Sequence, residues 1–483
     1  MSAPVDLGAG LANAASVAAA REALAGEERV WVVGGAVRDA LLGEPVLDAD
    51  LAVPPGRERE AARAIAKQAG GVAFPLSERH ATWRAVMEGG TASEWHVDVT
   101  ALRAEDIGSD LRQRDFTVNA IAVPLAGGEP VDPTGGVADA QARSLRVVAP
   151  GALEDDPLRL LRAARIAARH DLELEPRTAE LIRSQAALAG EAAGERQLAE
   201  LRTMLGGPQP LRSLELLDEL GLTAVVLPEL EATRGVAQNP NHHLDVHGHT
   251  LQVLEEWLGI ERDLAGFAPG LADDVAAMLA EPLADEMTRG DALRFGALFH
   301  DLGKPDTRDE HGGYVTFMGH DRTGAEIIAG ICRRLRTSRA LSAHLQGLAL
   351  HHLRLGFLVH ERPLSRAKLY EYLSATEPVS ADVTLLSAAD RLAARGSGPI
   401  ASPEMVEAHL DLAREVLPEA LAWHRDPPRP PLSGDELADE LGLEPGPRMG
   451  EILEGLRAAA FAGETPDRDA ALALARTLAA DGA

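Results

Sequence analysis

The sequence predicts an α+β protein, with a small sheet-containing head followed by an all-α neck, a second helical domain and a helical tail. Short apolar runs closed by glycines, which are typical of strands, occur between residues 28 and 148. After residue 150 apolar residues recur at helical spacing, and strand signals nearly vanish. At 483 residues the chain exceeds the roughly 250–300 residues that one core serves, so we expect at least two domains.

Elements of the head can be predicted in order. Residues 30–33 form a predicted strand that ends in a glycine pair, and residues 120–125 form another. The runs 81–87 and 94–99 flank a Glu-Gly-Gly-Thr segment, which is typical of a hairpin. Helical periodicity is found at residues 37–42, 58–69, 158–168, 178–188 and 195–205.

Composition limits the classes of function. The chain has 47 basic and 75 acidic residues, and its net charge of −28 argues against a general basic coat for nucleic acid but allows a local basic stripe. The single cysteine, Cys332, cannot form an internal disulfide and fits a reducing compartment. No apolar run approaches roughly 18 residues, and segment 7–25 lacks the basic start of a signal peptide. We therefore expect a cytoplasmic protein with no membrane span.

Two short motifs near the start of the head indicate phosphate and metal chemistry. Gly34 and Gly35 lie between a predicted strand and a predicted helix, where backbone N–H groups can approach an anion. Alone, this pair is more typical of a plain strand-to-helix turn than of an anion site. Asp48 and Asp50 follow at the i, i+2 spacing that places two carboxylates on one strand face, where a divalent cation such as Mg²⁺ would offset their repulsion. An isolated Asp-x-Asp is more often a solvated turn, but the order of the two motifs favours a site.

Five ordered motifs carry a resemblance to a known family. They read Gly-Gly-Ala-Val-Arg-Asp from residue 34 with Asp-Ala-Asp from 48, Arg-Asp-Phe-Thr-Val-Asn-Ala from 114, Asp-Pro-Thr-Gly-Gly from 132, Asp-Asp-Pro-Leu-Arg-Leu-Leu-Arg from 155, and Glu-Arg with Glu-Leu from 195. This series resembles the class II tRNA nucleotidyltransferases, the CCA-adding enzymes, with bacterial poly(A) polymerases as close relatives. The resemblance implies a polymerase-beta-like nucleotidyltransferase head.

The resemblance also assigns roles to residues of the head. Asp48 and Asp50 would hold Mg²⁺ ions that activate the RNA 3′-hydroxyl and neutralise the triphosphate. Asp98 would be a third catalytic acid, although a solvent-facing strand carboxylate is an equal alternative. Nucleotide binding would fall to Gly34, Gly35, Arg38, Arg114, Asp115 and Asn119. For Asp115 an internal salt bridge is an alternative role.

In the helix expected to start at residue 155, Asp156 and Arg159 are three residues apart and should project side by side. In the family this pair reads the Watson–Crick edge of CTP or ATP; without the resemblance it would be a helix cap with an ion pair. Arg159, Arg162, Arg165 and Arg169 recur every three or four residues, which predicts a basic helix face. That face would bind nucleotide or tRNA phosphates, or be simply solvated.

Three positions depart from the family pattern. Gln113 replaces the leading arginine of the motif at 114, and Leu198 stands where another arginine is common. Only residues 104–109 occupy the place of a longer flexible loop that assists the family's switch from C to A addition. Loss of that loop is typical of CC-adding specialists.

A second group of motifs, in the helical half, indicates a metal site. Imidazole and carboxylate groups there occur in the order His, His-Asp, His, His, Asp, with a Leu-Gly-Lys context after the His-Asp pair. This order resembles the HD phosphohydrolase superfamily, and the resemblance implies the ligands His249, His300, Asp301, His320, His352 and Asp390. His351 is the less favoured neighbour. The metal would be Mn²⁺, Ni²⁺, Co²⁺ or Fe²⁺; alternatively, the domain is degenerate and only supports tRNA binding.

These predictions combine into one interpretation. Residues 1–150 would be the nucleotidyltransferase head, 151–235 the neck that binds nucleotide and tRNA, 236–400 the HD domain and 401–483 a helical tail. The enzyme would add CMP and AMP from CTP and ATP to tRNA 3′ ends without a nucleic-acid template. The alternatives are a CC-adding specialist, a poly(A) polymerase, or an RNA-end phosphohydrolase whose head only binds tRNA. The sequence indicates no oligomeric state.

Overall fold

The computed structural model describes residues 7–77, 81–87, 95–465 and 467–480. Contacts divide the chain into two compact units, residues 1–226 and 227–483. The first unit contains the sheet, and the second is largely helical. The finer division into four domains stays a prediction.

The first unit combines short strands with helices. Its strands are β1 (Trp31–Val33), β2 (Ala49–Val53), β3 (Val72–Ser77), β4 (Thr82–Val86), β5 (His96–Ala101), β6 (Ala122–Pro124), β7 (Ser144–Leu145) and β8 (Glu173–Leu174). Its helices are α1 (Leu7–Ala12), α2 (Ala15–Ala23), α3 (Gly35–Leu42), α4 (Glu58–Ala69), α5 (Ile107–Leu111), α6 (Gly136–Gln141), α7 (Ala152–Asp155), α8 (Leu158–Arg169), α9 (Pro176–Gln185), α10 (Gly194–Leu205), α11 (Pro210–Glu219) and α12 (Thr223–Val226).

Six strands form one sheet in the order β3-β4-β5-β2-β1-β6. The pair β2–β5 is parallel and the other neighbours are antiparallel. Helix α4 packs against β3, β4 and β5. Because successive side chains alternate between faces, the buried Leu51 and Val99 lie on the opposite face from Asp50 and Asp98. The sheet therefore has a covered face and a second face that carries the acidic residues.

The second unit is built from helices with two small ladders. Its helices are α13 (Pro228–Glu231), α14 (Val246–Arg262), α15 (Leu264–Phe267), α16 (Ala272–Leu279), α17 (Arg289–Phe299), α18 (Lys304–Thr307), α19 (His320–Leu335), α20 (Arg339–His351), α21 (Arg354–Leu358), α22 (Arg366–Ala375), α23 (Ser380–Ala393), α24 (Pro403–Arg425), α25 (Gly434–Leu441), α26 (Pro447–Ala462) and α27 (Arg468–Ala480). Its strands are β9 (Pro282–Ala284), β10 (Met287–Thr288), β11 (Asp309–His311) and β12 (Tyr314–Thr316).

The structure confirms the α+β class and differs in detail. Strands β4 and β5 pair antiparallel as the predicted hairpin requires, while its turn falls in residues 88–94, outside the described residues. An all-α chain was expected after residue 150, but β8, which pairs with β7, and the ladders β9–β10 and β11–β12 lie there. Their strands have two or three residues, too few to show a period of two. Within the described ranges, we find no helix with the length and apolar character needed to cross a bilayer.

Candidate active site and candidate metal centre

The three carboxylates predicted to be catalytic lie together on the open face of the sheet. Asp50 of β2 and Asp98 of β5 are direct register partners, so their side chains are neighbours. Asp48 precedes β2, and its Oδ1 accepts a hydrogen bond of 2.9 Å from the backbone N–H of His96. The same oxygen lies 2.9 Å from His96 Nδ1. The chain thus brings together the acidic groups that a two-metal site would use.

The electrostatics of these carboxylates differ. Asp50 lies in a concavity that solvent reaches, and enclosure by protein together with the charge of Asp98 raises its pKa. Burial also acts against ionisation of Asp48, but hydrogen bonds from His96 outweigh it and lower the pKa of Asp48. Asp98 is clamped by Arg84, whose Nε and Nη2 lie 2.7 and 2.8 Å from its two oxygens. A divalent cation held by Asp48 and Asp50 would offset the negative charge of Asp98 that helps to raise the pKa of Asp50, so these residues fit Mg²⁺.

The glycine turn after β1 lies directly beside Asp50. Gly34 has a φ of +69°, and a Cβ on it would stand 3.2 Å from both Asp50 Oδ2 and Arg114 Nη1. A Cβ on Gly35, which starts α3, would stand 3.4 Å from Arg38 Nη2. The two glycines therefore leave space between a carboxylate and two guanidinium groups, where an anion can approach the backbone.

Two hydrogen bonds and an ion pair link α3 to α8. Arg38 Nη1 donates to Asn119 Oδ1 at 2.9 Å, and Asn119 Nδ2 donates to Asp115 Oδ1 at 3.1 Å. Asp115 is buried, and its Oδ2 lies 2.7 Å from Arg162 Nη2. Burial acts to raise the pKa of Asp115, but the charge of Arg162 outweighs it and lowers that pKa. Asp115 thus forms the internal salt bridge that the sequence left as an alternative.

Asp156 and Arg159 do not form a side-by-side pair. Asp156 is extended, with φ of −146°, and separates α7 from α8, so the helix expected from residue 155 starts at Leu158. Both oxygens of Asp156 accept hydrogen bonds from Arg196, at 3.0 and 2.9 Å. The Arg159 side chain is buried, and its guanidinium donates to the carbonyl oxygens of Gln113, Arg114 and Ala152. In this structure Arg159 therefore holds backbone in place.

The predicted basic face of α8 is largely paired within the protein. Arg162 contacts Asp115, and Arg165 Nε lies 2.6 Å from Glu200 Oε2. Of the stripe, Arg169 is the exposed member. The three- or four-residue spacing correctly predicted that these arginines lie on one helix face. It could not predict the acidic residues that pair with them.

Two contributors to this site were missed as site residues. Arg196 lies in the Glu-Arg motif, and that motif was the signal for its contact with Asp156. Arg84 had no sequence signal of its own, because its approach to Asp98 depends on the pairing of β4 with β5.

In the second unit, helix ends bring the six predicted metal ligands together. His249 lies in α14, His300 and Asp301 follow α17, His320 begins α19, His352 follows α20 and Asp390 lies in α23. Asp301 is central. Its Oδ2 lies 3.1 Å from His300 Nε2 and 3.6 Å from His249 Nε2, and its Oδ1 lies 3.3 Å from His320 Nε2 and 3.7 Å from His352 Nε2.

The ring orientations leave Nε2 atoms directed at the cluster. The Nδ1 atoms of His300, His320 and His352 lie 2.6–2.9 Å from carbonyl oxygens three residues earlier. Donation from Nδ1 fixes the tautomer in which Nε2 carries the lone pair, the usual arrangement for metal-bound imidazole. His249 Nε2 lies 3.0 Å from Asp390 Oδ1. His351 instead accepts a hydrogen bond from Arg354 and lies outside the cluster.

Protonation states in the cluster also suit a metal. Burial acts to raise the pKa of Asp301, but the charges of His300 and Lys304 outweigh it and hold that pKa well below its usual range. Burial, with the charges of His300 and His320, lowers the pKa of His352 to about 3. Both Asp301 oxygens are buried, and their neighbours are the imidazoles and the Lys304 ammonium group. Burial acts to lower the pKa of His300, but the charge of Asp301 outweighs it and raises that pKa. An ionised carboxylate among imidazoles fits a divalent transition ion, which would replace the proton on His300.

Gly303 explains part of the Leu-Gly-Lys context. A Cβ at this position would stand 2.2 Å from the carbonyl oxygen of His320 and 2.5 Å from the backbone nitrogen of Gly324. Only glycine lets the segment after Asp301 pack against the start of α19. Lys304, which follows, places Nζ 2.6 Å from Asp301 Oδ2 and donates to Gln238.

Three family models match segments of this chain. The family described as "Poly A polymerase head domain" matches residues 30–146. The family "Probable RNA and SrmB- binding site of polymerase A" matches residues 171–233, and "HD domain" matches residues 275–395.

Curated relatives match over most of the chain. The chain is 38% identical to an A-adding tRNA nucleotidyltransferase of Deinococcus radiodurans, over 90% of this chain and 92% of that protein. It is 34% identical to a multifunctional CCA protein of Xanthomonas campestris, with 90% and 98% covered. It is 33% identical to a CC-adding tRNA nucleotidyltransferase of Thermus thermophilus, with 91% and 92% covered.

Solved structures share the fold. A CCA-adding enzyme in complex with ATP aligns with a TM-score of 0.59 at 20% identity, over 96% of this chain and 94% of that one. The Thermotoga maritima CCA-adding enzyme in complex with tRNA aligns with a TM-score of 0.54 at 20% identity, over 97% and 94%. With relatives above 30% identity over nine-tenths of its length, the chain belongs to the tRNA nucleotidyltransferase family and carries the poly(A) polymerase-type head and an HD domain.

Proposed function

We propose that this protein adds CMP and AMP from CTP and ATP to the 3′ end of tRNA, without a nucleic-acid template. The observation that carries the proposal is the pairing of Asp50 with Asp98 on one sheet face, beside the Gly34 turn. Phosphoryl transfer of this kind depends mainly on positioning and charge stabilisation, which that arrangement can supply.

In this proposal each part of the head has a role. Asp48 and Asp50 hold Mg²⁺, and bound Mg²⁺ would polarise the triphosphate and lower the pKa of the attacking hydroxyl. Gly34 and Gly35 present backbone to the triphosphate. Arg38 and Arg114 supply charge, and Asn119 orients Arg38.

Base recognition is proposed for Asp156 and Arg159, with Arg196 added. The Asp156–Arg196 pair is partly exposed and presents carboxylate and guanidinium groups that suit cytosine or adenine edges. A contact of the Arg159 guanidinium with a base would require exchange of its backbone hydrogen bonds.

The segment that replaces the family's flexible loop bears on which nucleotides are added. It leads into α5, whose cap Asp106 accepts a hydrogen bond from Ser109 N–H at 2.9 Å. The segment is thus short and capped, as in the CC-adding alternative, whereas the relatives include A-adding, CC-adding and multifunctional enzymes. We keep CCA addition as the proposal and CC addition as its main competitor.

Reciprocal substitutions test the division of labour. Asp50→Asn should abolish incorporation of labelled CMP and AMP into tRNA, because it removes a metal ligand, and should leave phosphatase activity intact. Asp390→Asn is the matched control in the other unit and should do the reverse. Incorporation that survives Asp50→Asn would overturn the metal assignment in the head. It would also favour the alternative in which the head only binds tRNA.

A second function, metal-dependent phosphohydrolysis, is favoured by the cluster of six predicted ligands that has Asp301 at its centre. We propose that the HD domain binds Mn²⁺, Ni²⁺, Co²⁺ or Fe²⁺, which would supply a bound hydroxide for attack on a phosphoester. Metal analysis and hydrolysis of 2′,3′-cyclic phosphate RNA ends test this. If these residues bind no metal, the proposal is wrong and the domain only supports tRNA binding.

A further inference from the structure

The open face of the sheet continues past the carboxylates to an apolar edge. In register across four strands lie Asp50, Asp98, Arg84 and Phe74. Side chains of directly opposite residues lie on the same face of the sheet. Arg84 donates to Asp98, so the face that carries Arg84 and Phe74 is the acidic face. Phe74 therefore lies two strands from Asp98, roughly 10 Å at the usual strand spacing.

A second row of register partners, two residues along each strand, also runs from the acidic site to β3. Val72, Val86 and His96 are register partners, and His96 contacts Asp48. Phe74 is 41% exposed and Val72 44% exposed, both large fractions for apolar side chains. They lie on β3, the edge strand, whose outer side pairs with no strand in the described part of the chain.

The groups proposed to bind triphosphate lie on the other side of Asp50. β1 and its Gly34 turn flank β2 on the side away from β5, with Arg114 next to Gly34. If the nucleotide is bound there, the acceptor strand can approach from the opposite side, where Asp98, Arg84 and Phe74 lie. Two substrates that react at Asp50 must approach from different sides, so the apolar edge lies on the RNA side.

We propose that Phe74, flanked by Val72, is a stacking platform for the nucleobase at or next to the 3′ end of the acceptor RNA. The inference rests on the proposed function. Stacking on an aromatic ring tolerates any base, because every base has a π-face. That tolerance suits an acceptor whose terminal base changes with each addition.

Binding of an RNA with 2-aminopurine at its 3′ end to the full chain tests the platform. Phe74→Ala should weaken RNA affinity about tenfold or more and remove the 2-aminopurine quenching caused by stacking. Phe74→Tyr keeps the ring and should keep both. In steady-state assays Phe74→Ala should raise KM for tRNA and leave KM for CTP unchanged.

Phe357→Ala, at another exposed phenylalanine in the second unit, is the matched control and should change neither readout. Unchanged affinity and quenching in Phe74→Ala would overturn the inference, as would an effect on KM for CTP alone. A wild-type dimer that dissociates in Phe74→Ala at unchanged RNA affinity would assign the edge to a second copy instead. The binding arm needs no catalysis, so a chain that stacks RNA on Phe74 but adds no nucleotide would contradict only the proposed function.

Discussion

At the residue scale, the acidic positions were predictable and their basic partners were not. The i, i+2 spacing of Asp48 and Asp50 already places both on one strand face. The prediction that Asp156 and Arg159 project side by side was wrong, because the helix begins only at Leu158 and the Arg159 side chain points into the protein. Residue spacing predicts which side chains share a face only where the assumed helix or strand is present.

The buried position of Arg159 makes a stability prediction. Arg159→Ala would leave the carbonyl oxygens that it binds without a donor, and unsatisfied buried groups cost about 1–3 kcal/mol. We expect the free energy of unfolding, measured by urea denaturation, to fall by about 3 kcal/mol. Arg169→Ala, at the exposed end of the same helix, should stay within about 0.5 kcal/mol. Equal effects of the two substitutions would contradict the structural role of Arg159.

At the element scale, helices with clear periodicity were predicted well. The prediction of 58–69 coincides with α4, and that of 195–205 differs from α10 by one residue. The sheet order could not be predicted, because β2 pairs with the distant β5 and with β1 through long-range contacts. The contact of Arg84 with Asp98 follows from that order alone.

The packing of α19 against the segment after Asp301 gives a second prediction. Gly303→Ala should displace the start of α19, where His320 lies, because its Cβ would overlap backbone. We expect loss of bound metal by elemental analysis and loss of phosphohydrolase activity, with nucleotide addition retained. Gly259→Ala in α14, where a Cβ meets no atom within 4 Å, is the matched control and should keep its metal. Full metal content in Gly303→Ala would contradict the close approach.

At the scale of the whole molecule, charge is unevenly divided. Residues 1–205 have 22 basic and 31 acidic residues, a net −9, whereas the remainder has 25 and 44, a net −19. Two-thirds of the excess therefore lies outside the head and neck. The metal cluster likewise combines ligands spread from His249 to Asp390, whose types and order could be predicted from sequence but whose distances depend on five packed helices.

The excess of acidic residues predicts a modest and salt-sensitive affinity for tRNA. With most of the α8 arginines paired internally, few are available for phosphates, and the affinity should be modest. For about three phosphate contacts, raising salt from about 50 to about 200 mM should weaken binding roughly 40-fold. A filter-binding titration measures this slope. Affinity that does not change with salt would contradict binding through phosphates.

The central claim is nucleotide addition to tRNA at Asp48 and Asp50. The most direct test incubates the protein with tRNA that lacks its 3′ CCA, together with CTP, ATP and Mg²⁺, and sequences the RNA ends. We expect ends extended by C, C and A and no further. Ends that stop at CC, gain only A or grow long A tails would contradict CCA addition and assign one of the narrower or polymerising activities. Unchanged ends, both on this tRNA and on a tRNA that already ends in CC, would contradict the nucleotidyltransferase proposal itself.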